Sequence, residues 1–372
     1  MIKSLFSLVI FGATVFFCGC MQERKGKTGN PGLKVDHIIK AYVEKQEELG
    51  FKGSVLVSKD NTIIYTAHIG GESHSKDHAY YIGSLSKQFT AAAIVRLYED
   101  GLLSLDDTLG NFFEKVPDDK RKITVHHLLT HTSGLPDNYV VDGITDRQEA
   151  INAILTEPLE NEVGVTFTYS AEGYNLLAII VEIVSGKQFE AFVEDFVIKP
   201  MQLKHTGFWG LEESRVSFAP FGKDEMVDGL SENVYSNGKS IVNYGYKGST
   251  GMYATLDDLY RWTKSLRGYR CLSERDTELL FQPNVIVRGN SIKGTFYGYG
   301  WFIQMDKGLK KEIRHGGSED GLHNGIIRWT DSGYTIIVLS NQWAENLEGR
   351  FNGVEWSTVL SIGIRDIVNK GV

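Results

Sequence analysis

The sequence predicts an α+β fold, an α/β sandwich in which an antiparallel sheet built from N- and C-terminal strands is flanked by helices and interrupted by an inserted, mainly helical lobe. Three observations predict it. Runs rich in β-branched residues cluster near the two ends of the chain, at 54–69 and 296–340. Helical periodicity dominates the stretch between them. Neither strand group has enough residues for a full sheet, so the N-terminal hairpin is expected to pair with the C-terminal strands.

The elements follow in order. From Lys34 to Glu48, Val35, Ile38, Ile39, Tyr42 and Val43 recur at helical spacing, with Gly50 as a stop. Ser54 to Ser58 and Thr62 to Ile69 flank Lys59-Asp60-Asn61 as a hairpin. One helix is marked by Leu85, Phe89, Ala93, Ile94 and Leu97 and ended by Gly101; another by Tyr174, Leu177, Ala178, Val181 and Val184 and ended by Gly186. Asp257 to Leu266 is a third. Phe296 to Gln304, Glu312 to His315, Gly325 to Trp329 and Tyr334 to Ser340 read as strands, with Asp331-Ser332-Gly333 as a turn and a closing helix from Val354 to Val368.

The 372 residues are 42% apolar and 23% charged, which suits a globular protein and excludes disordered and fibrous classes. A net charge of −8 speaks against a nucleic-acid partner. Three cysteines exclude a disulfide framework. Residues 1–20 combine Lys3, an apolar run from Leu5 to Phe17 and Cys18-Gly19-Cys20. The run is short for a membrane span and matches an export signal. Gly19-Cys20 resembles a lipoprotein cleavage box, which implies lipidation of Cys20 and a protein anchored at the cell envelope, on the periplasmic or outer-surface side. Residues 21–32 form a polar tether, and 33–372 read as a single domain with a sheet lobe at 33–83 and 290–372 and a helical lobe at 84–289.

Ser84 and Lys87 stand three apart at the start of the Leu85 helix, on one face. A serine needs an adjacent base to become a nucleophile, and a desolvated lysine can serve. Taken alone the pair is weak, since serine is a common helix cap and lysine a common surface charge. Its company is more specific: Val125-His126-His127-Leu128-Leu129-Thr130-His131-Thr132-Ser133-Gly134-Leu135-Pro136, then Phe167-Thr168-Tyr169-Ser170-Ala171, then Gly248-Ser249-Thr250-Gly251-Met252-Tyr253, then His315-Gly316-Gly317-Ser318. In this order the segments resemble the serine β-lactamase and penicillin-binding protein superfamily, in its class C β-lactamase, DD-peptidase and esterase branch.

The resemblance implies a β-lactamase/transpeptidase-like fold and a serine hydrolase. Ser84 is then the acylated nucleophile, Lys87 its base partner, and Tyr169 a general base or proton relay that requires a lowered pKa. His315 takes the place of the lysine in the family's Lys-Thr-Gly strand, and the Ser84 and Ser318 amides form the oxyanion hole. Gly316 and Gly317 are expected to let substrate approach that strand. Ala171, expected beside the substrate, replaces the asparagine of Tyr-x-Asn, and His315 replaces a cation that holds a carboxylate; both departures point toward an ester or amide at least as much as toward a β-lactam. Lys87 and His315 are expected to set the field of the cleft. Among Tyr297, Tyr299 and Trp301, and Tyr244 to Tyr246, Tyr299 is the residue expected to face the cleft, the others being packing aromatics.

No metal or organic cofactor is expected. His127 and His131 read as one helical turn apart, but no carboxylate or cysteine at ligand spacing joins them. Glu157 to Asn161 reads as a surface loop, and no Gly-x-Ser-x-Gly elbow is present. The expected partner is a small-molecule or peptide ester or amide; the membrane is contacted through the anchor alone, and the chain is expected to be monomeric. The alternatives are a non-catalytic binder of penicillin or cell-wall peptide and a DD-carboxypeptidase.

Overall fold

The computed structural model describes residues 32–209, 216–219, 235–236, 239–240, 243–319, 322–340 and 356–370. Residues 1–31, with Cys20, and Asn341 to Trp343 lie outside the described residues. The chain opens with α1 (Gly32–Glu48), β1 (Gly53–Lys59), β2 (Thr62–Ile69) and β3 (His78–Tyr81). The helical lobe follows: α2 (Ser86–Glu99), α3 (Val125–Leu129), α4 (Arg147–Thr156), α5 (Ala171–Ser185) and α6 (Phe189–Val193). Short strands β4 (Gly207–Phe208), β5 (Ser217–Phe218), β6 (Tyr235–Ser236), β7 (Lys239–Ser240) and β8 (Met252–Ala254) precede α7 (Leu256–Arg267) and α8 (Glu274–Leu280). The chain returns to the sheet as β9 (Val285–Gly289), β10 (Gly294–Tyr297), β11 (Phe302–Asp306), β12 (Leu309–Glu319), β13 (Leu322–Thr330) and β14 (Tyr334–Leu339), then ends in α9 (Trp356–Lys370).

The main sheet runs β2-β1-β14-β13-β12-β11-β10-β9, and every pairing in it is antiparallel. The N-terminal hairpin joins the C-terminal strands through β1 and β14, with Ser54 opposite Leu339 and Ser58 opposite Thr335. Alternation then sorts the side chains between two cores. Val55, Val57, Ile336 and Val338 pack with Val35, Ile39, Trp356 and Leu360 of α1 and α9. Leu56, Ile337 and Leu339 face the other way and join the core of the helical lobe. Because both faces are covered, β1 is buried without a break from Gly53 to Ser58.

That second core surrounds α2, whose residues from Ser86 to Val95 are all buried. Ala91-Ala92-Ala93 let neighbouring helices approach closely, and Phe89 stacks on Trp262 of α7 with ring centroids 4.4 Å apart. One sequence expectation is corrected here. Phe296 to Gln304 is not one strand but two, β10 and β11, with Tyr297 opposite Phe302 and Gly298 N donating to Trp301 O at 2.8 Å. Gly300 permits the reversal, its φ of +76° lying where a side chain is strained.

Candidate active site

The nucleophile position is built where the sheet meets α2. Ser84 lies in a 3₁₀ turn, Gly83–Leu85, that runs directly into α2. Ile82 N donates to Met252 O at 2.9 Å, and Ser86 Oγ both donates to Gly83 O at 2.7 Å and accepts from Met252 N at 3.1 Å, so the turn is tied to β8. Ser84 remains partly exposed while Lys87 is fully buried. Lys87 Nζ donates to Ser84 Oγ at 3.2 Å and to Ser249 O at 3.2 Å. The three-residue spacing thus delivers the contact that the chemistry requires, and the Ser249 carbonyl aims the amine.

Ser249 had no role in the sequence reading, because a backbone acceptor leaves no mark in residue type. Its loop is held by Asn175, whose Nδ2 donates to Gly245 O at 2.9 Å and whose Oδ1 accepts from Gly248 N at 3.3 Å. Thr90 Oγ1 donates to Gly248 O at 2.6 Å. Beneath the loop Lys247 Nζ sits 2.8 Å from Glu182 and 3.2 Å from Glu190, a buried pairing that fixes residues 243–250 against α5.

Tyr169 immediately precedes Ser170, the N-cap of α5, and is partly exposed. The Lys87 amine lies 4.8 Å from the centroid of its ring and 5.6 Å from that of Tyr174. His131 packs against Tyr169 with centroids 4.3 Å apart. It lies beyond the end of α3 with a φ of +57°, so it is not one helical turn from His127, as its spacing suggested. His127 caps α3 with Thr124, and His126 Nδ1 is 2.7 Å from Tyr299 Oη. Each of the three histidines has its own local partner.

His315, on β12, is buried. A carbonyl can only accept, so the 2.6 Å contact between His315 Nδ1 and Gly316 O places the ring proton on Nδ1. Nε2 is then the acceptor for the Tyr297 hydroxyl at 3.1 Å. Burial pushes the imidazole pKa down to about 3, with the nearby charges of Lys87 and Arg314 acting in the same direction. His315 is therefore neutral at physiological pH, which corrects the expectation that it shares with Lys87 in setting the field.

A depressed histidine pKa makes a stability contribution that is present above the unfolded value, near 6.5, and lost as pH falls toward 3. Urea unfolding between pH 6 and pH 4 is expected to show ΔG falling by about 1.4 kcal/mol per pH unit for each such neutral histidine. His315→Gln should reduce that slope by one proton's worth. An unchanged slope would show that His315 charges freely in the native protein.

Three further expectations are corrected. Tyr299 does not face the cleft: it is buried in the helical-lobe core with its hydroxyl on His126, and Tyr297 is the tyrosine that reaches His315. The reversal at Gly298–Trp301 turns consecutive aromatics to different neighbours, which a single extended strand would not do. Ala171 is fully buried and gives its N–H to Asp137 Oδ1 at 2.7 Å, so its side chain lines no part of the cleft. Gly317 admits the nucleophile turn rather than substrate, since a Cβ there would lie 1.9 Å from Ile82 O and 3.0 Å from Leu85 N. Gly316 meets only Gly325 O, at 3.6 Å. Next to it the β12–β13 register shifts between Gly317 and Ser318, leaving Ser318 exposed at a bulge beside the Ser84 turn.

The site can present an activated hydroxyl beside the partly exposed Tyr169, with the rings of His131, Tyr297 and Phe302 packed in succession behind it. The Beta-lactamase family model matches residues 35–355. Penicillin-binding protein 4* of Bacillus subtilis (strain 168) is 28% identical over 332 residues, covering 83% of this chain and 72% of that protein. Among solved structures, the octameric penicillin-binding protein homologue from Pyrococcus abyssi superposes with a TM-score of 0.70 at 25% identity, covering 90% of this chain and 77% of that one. EstCE1, a hydrolase with promiscuous acyltransferase activity, does so with a TM-score of 0.70 at 20% identity, covering 91% and 98%. With the Lys87–Ser84 contact at the head of α2 and this match over most of its length, the chain belongs to the Beta-lactamase family and is a serine hydrolase.

Proposed function

We propose that the protein hydrolyses an ester, or an amide that carries no carboxylate beside the scissile bond, through an acyl-enzyme on Ser84. The observation that carries this reading is His315: both ring nitrogens are engaged internally, by Gly316 O and the Tyr297 hydroxyl, and burial keeps the ring uncharged. It offers a substrate carboxylate neither a charge nor a free donor. In the first step Ser84 Oγ bonds to the carbonyl carbon as its proton passes to the Lys87–Tyr169 pair. The Ser84 and Ser318 N–H groups receive the developing oxyanion, and the alcohol or amine leaves with the proton. Water then cleaves the acyl ester by the reverse proton path, restoring the serine and releasing the acid.

The test is one panel of a short-chain aryl ester, a chromogenic cephalosporin and a D-Ala-D-Ala peptide. The expected order puts kcat/KM for the ester at least about 100-fold above the other two, a gap of the size lost when a charge-holding group is missing. Ser84→Ala should abolish turnover and fluorophosphonate labelling. A cephalosporin turned over faster than the ester would overturn the substrate reading; labelling of Ser84→Ala would overturn the nucleophile.

Export and lipid anchoring at Cys20 complete the proposal, supported by the apolar run and the Gly19-Cys20 box. The anchored enzyme is proposed to act as a monomer on its small-molecule or peptide substrate. Full-length protein should partition with membranes and Cys20→Ala should not; equal partitioning would remove the anchor, and light scattering of the tether-free domain distinguishes a monomer from an octamer.

A further inference from the structure

One residue holds Tyr169 from both sides. Thr168 N donates to the His131 carbonyl at 2.7 Å, and Ser170 N donates to His131 Nδ1 at 3.1 Å. The residues before and after Tyr169 are thus fixed to the backbone and the ring of a single histidine. The ring also packs on the rings of Tyr169 at 4.3 Å, Tyr297 at 4.8 Å, Tyr174 at 4.9 Å and Phe167 at 5.7 Å. His131 sits in the left-handed region, at a φ of +57°, which histidine, asparagine and glycine tolerate better than most residues. This conformation presents both its carbonyl and its ring to the 168–170 segment.

The hydrogen bond from Ser170 also assigns the tautomer. An amide N–H can only donate, so Nδ1 is bare and the ring proton resides on Nε2. Nε2 is buried and has no acceptor among the described residues. The arrangement thus leaves one buried donor unmet while Nδ1 and the carbonyl are both committed to the 168–170 segment. The charged and titratable groups around the ring are Lys87, His315, Tyr169, Tyr174 and Tyr297, and burial together with the Lys87 charge keeps the imidazole neutral. Nδ1 therefore stays available as an acceptor.

We propose that His131 is a positioning residue for Tyr169, its carbonyl and Nδ1 together fixing the tyrosine against the Lys87 amine. The proposal rests on the reading above in which Tyr169 moves a proton, so its test separates the two. His131→Gly keeps the left-handed backbone and the carbonyl but deletes the ring, whereas His131→Asn keeps a side-chain acceptor. On the aryl ester, His131→Gly is expected to lower kcat about 100-fold with KM within about threefold, and His131→Asn to stay within about tenfold of the parent. In a Tyr169→Phe background His131→Gly should cost less than about threefold more, because it acts through the missing hydroxyl. An equal loss in both backgrounds, or no loss in either, overturns the proposal.

Full activity in Tyr169→Phe alone would instead overturn the proton-transfer reading. Nitrogen-15 chemical shifts of the histidine rings in the unaltered protein decide the tie without any variant. They should show His131 with bare Nδ1 and protonated Nε2 from pH 8 to pH 5; a proton on Nδ1 overturns the proposal even if the glycine variant fails to fold.

Discussion

Lys87→Met is expected to lower kcat/KM on the best ester by about a thousand- to a hundred-thousand-fold, the range seen when the base partner of a serine nucleophile is removed. The loss should fall on kcat, because Lys87 is fully buried beneath Ser84 and reaches substrate only through it. The same change is expected to leave the protein folded and more stable by about 1 kcal/mol, since a buried amine with no carboxylate partner among the described residues gives way to an apolar chain of similar length. The gain is limited by the Ser249 carbonyl, which loses its donor. Steady-state kinetics and urea unfolding check the two halves separately. A variant retaining more than a tenth of parental kcat would remove Lys87 from the chemistry.

Gly317→Ala should be the most damaging of the glycine changes in the HGG segment, and Gly316→Ala nearly silent. A methyl on Gly317 would stand 1.9 Å from Ile82 O and 3.0 Å from Leu85 N, both backbone atoms flanking the nucleophile, so that turn must move. Overpacking of this kind costs about 1–3 kcal/mol of stability. Displacement of the nucleophile by about 1 Å is expected to lower kcat on the order of 100-fold. Gly316 meets only Gly325 O, at an ordinary 3.6 Å, and its substitution should change stability by less than about 1 kcal/mol. Thermal unfolding and ester turnover of the two variants give the comparison. Equal effects would mean that Gly317 does not set the spacing between β12 and the Ser84 turn.

What could be read from residues alone was the part governed by period and punctuation. The apolar spacing of Leu85 to Leu97 and Tyr174 to Val184, with Gly101 and Gly186 after them, defines α2 and α5 because helix faces and stops are local properties. The pairing of the hairpin with the last strands followed from counting strands. Ser84 and Lys87 were legible because both positions lie at the head of one helix. Tyr299 was the misreading: Tyr297, Tyr299 and Trp301 alternate as a strand would, and only the turn at Gly298–Trp301 decides which ring meets His315. His315 itself was legible as a position but not as a charge state, which depends on burial and on Tyr297 from another strand. Contacts made by backbone atoms, such as the Ser249 carbonyl on Lys87 and Ile82 against Gly317, are invisible to any reading of side-chain type.

The pairing of β1 with β14 has a temporal consequence. Ser54 finds its partner only when Leu339 has been made, and the turn carrying Ser84 leans on Gly317 of β12. Chain growth therefore produces the nucleophile long before the strands that align it. Closing so long a loop is slow for entropic reasons, and the helical lobe must wait for its floor. Hydrolytic competence therefore depends on the last strands having taken their places in the sheet.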